Sequence, residues 1–419
     1  MRFVTSFTVP VAWRRQYCGL FEARVDGVIY YLLDNQYYFK RAGLYGHYDD
    51  AERFAFFSRA VLEMLQYIDF RPDILHANDW QAALAPVYYS LFYSDREEYR
   101  HIKTVFTIHN IQYQGKYGME ILGDVFGIPE GARSLVEQDG CINLMKGGIE
   151  AANRVTTVSP TYAQEIMDPW FSHGLDTILR AREWKLSGIL NGIDTDSYNP
   201  ATDPDIAAHY SLEDMAGKAE DKRALQERLC LPQRPEVPLI AMVTRLVAHK
   251  GLDLVKYVLD ELLQEDIQFV VLGSGDWTYE NTFREMQERY PGKFLYCHGF
   301  VPELARKIYA GADIFLMPSK SEPCGLSQMI ACRYGTVPVV RETGGLKDSI
   351  TDCGDGQGLG FTFKTYNAND MLYAIRRSLG AYANKTDWPV LVRRSMEADF
   401  SWGRSANEYI KLYKALMKE

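Results

Sequence analysis

The chain has 419 residues, of which 47% are apolar and 24% are charged, a composition typical of a globular protein with two or three domains of roughly 150 residues each. Its 46 Lys and Arg against 55 Asp and Glu give a net charge of −9, which argues against non-specific binding to nucleic acid or to an anionic membrane. An anionic small substrate is compatible with this charge, because it requires only a local cluster of cations.

The seven cysteines are widely spaced and include no Cys-x-x-Cys pair. This pattern argues against a disulfide framework or a thiolate zinc site and indicates a reducing compartment, the cytoplasm. The first 13 residues do not match a signal peptide, because Pro10 interrupts them and two arginines follow. The uncharged run 80–94 contains Pro86 and is shorter than the roughly 20 residues that span a bilayer, so we predict a buried helix there.

In the first half, short apolar segments alternate with helical ones. The predicted strands are 73–76, 102–108 and 154–158. One helix follows Trp80, and another begins at Ser159-Pro160, where the serine can cap the helix and the proline fits its first turn. This alternation is typical of a parallel sheet built from βαβ units.

The second half repeats the pattern. Its predicted strands are 238–243, 267–272, 294–296, 313–317 and 336–340, and its predicted helices include 252–262, 302–310, 326–334 and an amphipathic final helix, 402–417. A polar, proline-rich stretch separates the halves, and we place the boundary near Leu190. Two doubly wound sheets bind ligands outside the carboxyl ends of their strands, which predicts a ligand in a cleft between the domains.

Two cations follow the first strand of the second half, in the segment TRLVAHKG (244–251). Arg245 and Lys250 would sit at the carboxyl end of the sheet beside a helix N-terminus, an arrangement that suits a phosphate. The alternative is a pair of solvated charges in a loop. Two glycines in TGGLKD (343–348) also follow a strand and open a helix, so the backbone there can approach an anionic ligand closely.

An acidic residue follows another strand, in EPCGL (322–326). Glu322 either faces the ligand, where it can bind sugar hydroxyls or stabilise positive charge, or is simply a carboxylate favoured by the helix dipole. The two interpretations are equally supported. Cys324 is better explained as a packing residue than as a nucleophile, because no histidine is near it in sequence.

Histidines, amides and aromatic residues follow two strands of the first half, in HANDWQ (76–81) and TIHNIQYQG (107–115). Such side chains suit sugar recognition, and the alternative is helix caps and packed histidines. His76 and His109 lack further ligands at metal-binding spacing. Asp194 and Asp196 form an Asp-x-Asp that can hold a metal on a nucleotide diphosphate, although a turn capped by side chains is the favoured interpretation.

Taken together, these segments resemble the bacterial glycogen synthases, relatives of the plant starch synthases in glycosyltransferase family 5. HANDWQ, TIHNIQYQG, NGID (191–194), TRLVAHKG, EPCGL and TGGLKD occur in the family's order across nearly the whole chain. The resemblance implies an α/β protein of GT-B architecture, with two facing Rossmann-like domains, a cleft between them and a C-terminal helix that crosses back. The implied divisions are a first domain at 1–190, a nucleotide-sugar-binding domain at 191–400 and the returning helix at 401–419.

The resemblance also implies the reaction, a retaining transfer of glucose from ADP-glucose to the non-reducing 4-hydroxyl end of an α-1,4-glucan such as glycogen. It implies no metal and no cofactor, a cytoplasmic location, and no nucleic-acid or membrane partner; it leaves the oligomeric state open. A retaining hydrolase would use two carboxylates about 5 Å apart. No convincing second carboxylate accompanies Glu322, so we expect a same-face transfer in which the leaving phosphate helps to deprotonate the acceptor.

The family's functional residues map onto matching positions of this chain. Arg245 and Lys250 correspond to the pair that binds the donor diphosphate, and Glu322 corresponds to the acid that orients the donor glucose. His76 corresponds to the histidine near the donor sugar, and Asn191 to the residue near its hydroxyls. The implied substrate contacts also include Gly344, Gly345 and Leu346 through their backbone, Phe300 against the adenine, and Asp79, His109, Asn110, Gln114, Cys324, Gly325 and Thr343.

The family begins with a strand and a K-x-G-G-L loop, and nothing in residues 1–80 matches them. We therefore expect the first domain to lack its opening strand, that loop and a helix. The missing loop leaves open a non-catalytic glucan-binding fragment. A separate alternative is a related GT-B glycosyltransferase that uses UDP-glucose or a small acceptor.

Overall fold

The computed structural model describes residues 1–418, which form two compact units. Unit 1 contains Met1–Val158, Ala163–Gly188 and the chain from Tyr409 onward, whereas unit 2 contains Ser159–Tyr162 and Ile189–Glu408. Leu190, at the predicted boundary, lies in unit 2. The predicted range of the last helix includes Glu419, which lies outside the described residues.

Unit 1 contains ten strands and seven complete α-helices among its described residues. The strands are β1 (Arg2–Val11), β2 (Arg14–Val25), β3 (Val28–Asp34), β4 (Ile74–Asn78), β5 (Lys103–Ile108), β6 (Lys116–Gly118), β7 (Glu137–Gln138), β8 (Cys141–Asn143), β9 (Arg154–Thr157) and β10 (Leu186–Gly188). The helices are α1 (Gln36–Phe39), α2 (Asp50–Met64), α3 (Asp79–Ala82), α4 (Leu84–Phe92), α5 (Ile121–Asp124), α6 (Leu144–Ala151) and α8 (Asp176–Ala181), and α7 (Pro160–Glu165) includes residues of both units.

A parallel sheet in the order β10-β9-β5-β4 forms the centre of unit 1. The three predicted strands of this half are confirmed, whereas β10 was not predicted, because Leu-Ser-Gly has no distinguishing pattern. The predicted helix after Trp80 is divided into α3 and α4. Pro86 lies in the first turn of α4, where its missing N–H breaks no helical hydrogen bond.

The antiparallel sheet β1-β2-β3 was not predicted from the sequence. Asp26 and Gly27 connect β2 to β3 with φ of 49° and 81°, the positive values that a two-residue hairpin turn requires. Asp-Gly is a recognised signal for such a turn, so this hairpin was predictable. Ala12, also at positive φ, starts the turn between β1 and β2 and carries no comparable signal.

Unit 2 contains a six-stranded parallel sheet in the order β13-β12-β11-β14-β15-β16. Its strands are β11 (Leu239–Val243), β12 (Gln268–Gly273), β13 (Phe294–His298), β14 (Ile314–Met317), β15 (Val337–Arg341) and β16 (Phe361–Phe363). The first five confirm the predicted strands, and only the three-residue β16 was missed. The order reverses at β11, so the loops after β11 and β14 start from adjacent strand ends, the place where such sheets bind ligands.

Eight α-helices of the described chain lie entirely within unit 2. They are α9 (Ala216–Arg228), α10 (Leu252–Leu262), α11 (Trp277–Arg289), α12 (Pro302–Gly311), α13 (Ser327–Arg333), α14 (Gly344–Ser349), α15 (Ala368–Ala383) and α16 (Asp387–Glu397). The helix α10 buries apolar residues at helical spacing, namely Leu252, Val255, Val258, Leu259 and Leu262. Burial of each such side chain contributes roughly 1.5–3 kcal/mol, which explains why this periodicity predicts the helix.

The predicted final helix is present as α17 (Trp402–Leu416). Its residues up to Glu408 belong to unit 2 and those from Tyr409 onward to unit 1. Among the helices of residues 1–418, none has the length and apolar character needed to cross a membrane.

Candidate active site

An ion pair connects the loops that follow β11 and β14. Lys250 Nζ lies 2.7 Å from Glu322 Oε2, and the Ser319 hydroxyl donates to the same oxygen at 2.9 Å. Glu322 is only 7% exposed, so its charge needs these partners. Its other oxygen, Oε1, makes no hydrogen bond within residues 1–418. The structure therefore fixes a carboxylate that keeps one acceptor oxygen for a ligand.

The second cation in the loop after β11 is Arg245, and only its backbone is anchored by other residues. Arg245 is exposed, and no described side chain or carbonyl pairs with its guanidinium. The next residue, Leu246, donates to Ser274 O at 2.9 Å and accepts from Asp276 N at 2.7 Å. Arg245 is thus an unpaired cation on an anchored backbone, as an anion-binding role requires.

Glycines allow the loops that follow β11, β14 and β15 to pack against one another. Gly251 has φ of +74°, and a Cβ there would lie 2.0 Å from Pro318 O. A Cβ on Gly344 would lie 2.0 Å from Glu322 O, and one on Gly345 would lie 2.1 Å from Cys324 O. The glycines that we predicted for close approach to a ligand are therefore already required by contact between loops.

Residues 322–326 are also held in place by a backbone hydrogen bond and by burial. The Gly345 N–H donates to Glu322 O at 3.1 Å, which joins this loop to the start of α14. Burial raises the pKa of the Cys324 thiol to about 12, so the thiol stays protonated near neutral pH. Leu346 is fully buried, and Gly325 has φ of +68°.

The NGID segment (191–194) lies next to Cys324 in the loop after β14. The backbone of Asn191 lies within hydrogen-bonding reach of the Cys324 thiol. Asp194 Oδ1 accepts the backbone N–H groups of Asp196 and Ser197 at 3.1 and 2.9 Å, so the predicted turn capped by side chains is confirmed. In the described part of the chain, no group of three or more His, Cys, Asp or Glu side chains is placed to hold a metal ion.

An aromatic ring lies at the end of β13. Phe300 is 84% exposed and follows Gly299, whose φ is +107°. The Gly299 N–H donates to Gly273 O at 3.0 Å, so this turn lies against the loop after β12.

In unit 1, His76 has both ring nitrogens engaged. Nδ1 lies 2.6 Å from the Tyr413 hydroxyl, and Nε2 lies 2.6 Å from the Thr107 hydroxyl. Burial, with a contribution from His109, lowers the pKa of His76 to about 4, so the ring is neutral near pH 7. These contacts favour the packed-histidine interpretation. Tyr413, 337 residues away in sequence, had no signal that could connect it to His76.

Asp79 joins the two polar motifs of unit 1. Its φ is +57°, an unusual value for a residue other than glycine, and its Oδ1 accepts the His109 N–H at 2.8 Å. Burial raises the pKa of this carboxyl group, opposed by hydrogen bonds from the backbone of His109 and Asn110. The His109 Nε2 lies 2.9 Å from Asn78 Oδ1, and its Nδ1 has no partner among the residues described.

Gln114 is 4% exposed and is used by the fold itself. Its amide donates to Ile111 O and His173 O at 3.0 and 3.2 Å, and its oxygen accepts from Asn143 at 2.7 Å. These bonds shape the loop after β5. The five predicted site residues His76, Asp79, His109, Asn110 and Gln114 belong to unit 1, and all the others belong to unit 2.

Comparison with known proteins places this geometry in a class. Residues 1–181 match the family described as "Starch synthase catalytic domain", and residues 230–385 match "Glycosyl transferases group 1". The structure titled "Catalytic domain of Starch Synthase IV from Arabidopsis thaliana bound to ADP and acarbose" superposes with a TM-score of 0.91 at 36% identity, covering 100% of this chain and 88% of that one. The protein is therefore a glycosyltransferase with the GT-B fold of two Rossmann-like domains.

Curated relatives identify the family within this class of glycosyltransferases. The glycogen synthase of Geobacillus thermodenitrificans (strain NG80-2) is 51% identical over 430 residues, covering 100% of this chain and 87% of the relative. That of Bacillus cereus (strain ATCC 10987 / NRS 248) is 49% identical over 414 residues, covering 98% and 87%. The chain belongs to the glycogen synthase family.

Proposed function

We propose that this protein transfers glucose from ADP-glucose to the non-reducing 4-hydroxyl end of an α-1,4-glucan, with retention of the anomeric configuration. The observation that carries the proposal is the Lys250–Glu322 pair beside an unpaired Arg245 at the strand ends of unit 2. Membership of the glycogen synthase family supports the choice of donor and acceptor. Seven free cysteines support a cytoplasmic location.

Arg245 and Lys250 would bind the donor diphosphate. Negative charge grows on the leaving phosphate as the glycosidic bond breaks, and fixed cations stabilise that charge with little reorganisation. Lys250 is already held by Glu322, whereas Arg245 has its guanidinium available. The pair thus combines one cation held in an ion pair with one whose guanidinium is available to the diphosphate.

Glu322 would orient the donor glucose through its available oxygen and stabilise the positive charge at the anomeric carbon. We propose a same-face substitution: the bond from C1 to the phosphate oxygen breaks, the bond from C1 to the acceptor O4 forms, and the acceptor proton passes to the leaving phosphate. A covalent mechanism would need a second carboxylate as the nucleophile. Asp348 is a poor candidate, because its two oxygens accept hydrogen bonds from the backbone N–H and the hydroxyl of Thr161 at 2.8 and 2.6 Å.

For the histidine at the sugar site, the contacts favour His109 over His76. Both ring nitrogens of His76 are hydrogen-bonded, to Tyr413 and Thr107. His109, in contrast, keeps Nδ1 available on a loop that Asp79 anchors. We therefore propose that His109 contacts the substrate and that His76 supports the fold.

The remaining predicted contacts belong to the same proposal. The backbone of residues 343–346 would meet phosphate and sugar, and Asn191 would meet the sugar hydroxyls. The exposed ring of Phe300 would stack on the adenine. Asp79, Asn110 and Gln114 would act by shaping the loops that carry substrate contacts, since their polar groups are hydrogen-bonded within unit 1.

The deciding experiment compares transfer of labelled glucose from ADP-glucose and from UDP-glucose onto glycogen. We expect incorporation from ADP-glucose at a kcat/KM at least about tenfold higher than from UDP-glucose, since the alternative donor differs only in its base. Higher transfer from UDP-glucose would establish the alternative donor. Binding of glycogen without incorporation from either donor would establish a non-catalytic glucan-binding protein.

A further inference from the structure

A buried carboxylate at the start of α11 lies beneath the loop after β12. Glu280 is 8% exposed, and its Oε1 accepts the backbone N–H of Gly275 at 3.0 Å. Its Oε2 accepts from Arg284 at 2.8 Å and lies 3.3 Å from His298 Nδ1. The hydrogen bond to Gly275 is the largest of the effects that lower the pKa of Glu280, so the carboxylate is charged near neutral pH.

The peptide that Glu280 holds is packed against the residue next to Arg245. Gly275 forms a bridge with Leu246, and a Cβ on Gly275 would lie 2.4 Å from Leu246 O. The two neighbours of Gly275 complete this clamp, because Ser274 accepts from Leu246 and Asp276 donates to it. The contacts therefore run from the Glu280 carboxylate through Gly275 and Leu246 to Arg245.

The position of Arg245 depends on its backbone, which Leu246 anchors to residues 274–276 and whose carbonyl also accepts the Val247 N–H at 3.0 Å. Its side chain is exposed and has no protein partner in the described chain, so only its backbone determines where the guanidinium starts. A cation that stabilises a leaving phosphate acts through placement, and an error of about 1 Å weakens it strongly. A glutamate near the start of a helix often just caps a neighbouring backbone N–H. Such a cap would not require that the capped peptide, here Gly275, also pack against the residue next to Arg245.

We propose that Glu280 is a positioning residue for Arg245 in the binding of the donor diphosphate. The inference rests on the proposed function, since it assigns Arg245 to that diphosphate. Glu280 itself would not touch the ligand. It would act by fixing the Gly275 peptide on which the Arg245 segment rests.

The test is a double-mutant cycle read out by ADP binding in calorimetry. Glu280→Ala should weaken ADP binding about tenfold, and Glu280→Gln by less than about threefold, because the amide oxygen can still accept the Gly275 N–H. In an Arg245→Ala background, Glu280→Ala should add less than about twofold, because the residue through which it acts is gone. Glu288→Ala, on the exposed side of the same helix, is the matched control for loss of one charge and should leave binding unchanged.

Three results would overturn the inference: additive effects of the two alanine variants, equal losses in Glu280→Gln and Glu280→Ala, or unchanged ADP binding in Glu280→Ala. A wild-type chain that does not bind ADP would overturn it as well. The proposed function is judged separately, by glucose transfer in the wild type. If the wild type binds ADP but transfers no glucose, the proposed function fails and the binding cycle still decides the role of Glu280.

Discussion

Replacing each of the two cations by methionine should separate stability from catalysis. The side chains of Lys250 and Glu322 are 15% and 9% exposed, and their charged atoms lie 2.7 Å apart. Lys250→Met therefore leaves a nearly buried carboxylate with Ser319 as its remaining partner. Breaking a buried pair from one side costs about 3–5 kcal/mol, and we expect the lower end because a hydroxyl still solvates the charge. For a unit of this size each kcal/mol lowers the melting temperature by about 2–4 °C, which gives a shift of roughly 6–12 °C.

Arg245→Met removes a cation that has no partner within residues 1–418 and lies in solvent. Its free energy of unfolding should therefore change by less than about 0.5 kcal/mol. Glucose transfer should nevertheless fall by roughly 10- to 150-fold in kcat/KM, corresponding to about 1.5–3 kcal/mol for a lost charge-assisted hydrogen bond. The same substitution should thus lower both stability and activity at Lys250, but activity alone at Arg245, five residues earlier.

Thermal unfolding and label transfer from ADP-glucose measure the two effects. The informative control is Lys250→Met with Glu322→Gln, which removes both charges: it should regain most of the lost stability, because a neutral amide needs no cation, and it should remain inactive. The reasoning about the pair is refuted if this double variant is no more stable than Lys250→Met. Turnover close to wild type in Arg245→Met would refute the role assigned to that residue.

Three further predictions follow from the contacts. Because the pKa of His76 is about 4 in the folded chain and about 6.5 when unfolded, protonation favours unfolding between these values, so stability should fall by up to about 3 kcal/mol as the pH drops from 6.5 to 4. Urea unfolding of His76→Gln should show a flatter pH dependence, and an unchanged slope would contradict the assignment. Cys324, with its pKa near 12, should resist alkylation by iodoacetamide in native protein at pH 7.5, whereas the exposed Cys230 should react, as peptide mass spectrometry can measure. Transfer should persist in a chelator, since the Asp194 carboxylate caps backbone N–H groups; loss of activity that Mg²⁺ restores would establish a metal requirement.

Most of the parallel strands were predictable because they are short apolar runs between turn residues. β12, for example, is buried along its whole length, from Gln268 to Gly273. β10 and β16, of three residues each, are too short to carry such a pattern. The sheet β1-β2-β3 has one clear turn signal, Asp26-Gly27, and one turn at Ala12 without any, so only half of it could be predicted.

The site was predictable at its strand ends but not in its long-range contacts. Arg245, Lys250 and Glu322 lie in loops that follow strands, and the adjacency of β11 and β14 brings these loops together. The contact of His76 with Tyr413 depends on where the final helix packs, and local sequence contains no information about that. A histidine after a strand looks the same in sequence whether its ring meets a substrate or a tyrosine. The resemblance therefore predicted the sugar contact for His76, and only the contacts in the structure favour His109 for that role.

The loops of unit 2 explain how a flexible part of a fold can hold charges at fixed positions. Loops usually owe their mobility to sparse packing, but here glycines let backbone meet backbone: Gly251 lies against Pro318, and Gly344 against Glu322. A Cβ at either position would lie 2.0 Å from a carbonyl oxygen, so this close contact between the loops requires glycine at both positions. Since an ion pair contributes to catalysis only if it is in place before charge develops, this interlocking supplies the preorganisation that long, flexible side chains such as Lys250 lack on their own.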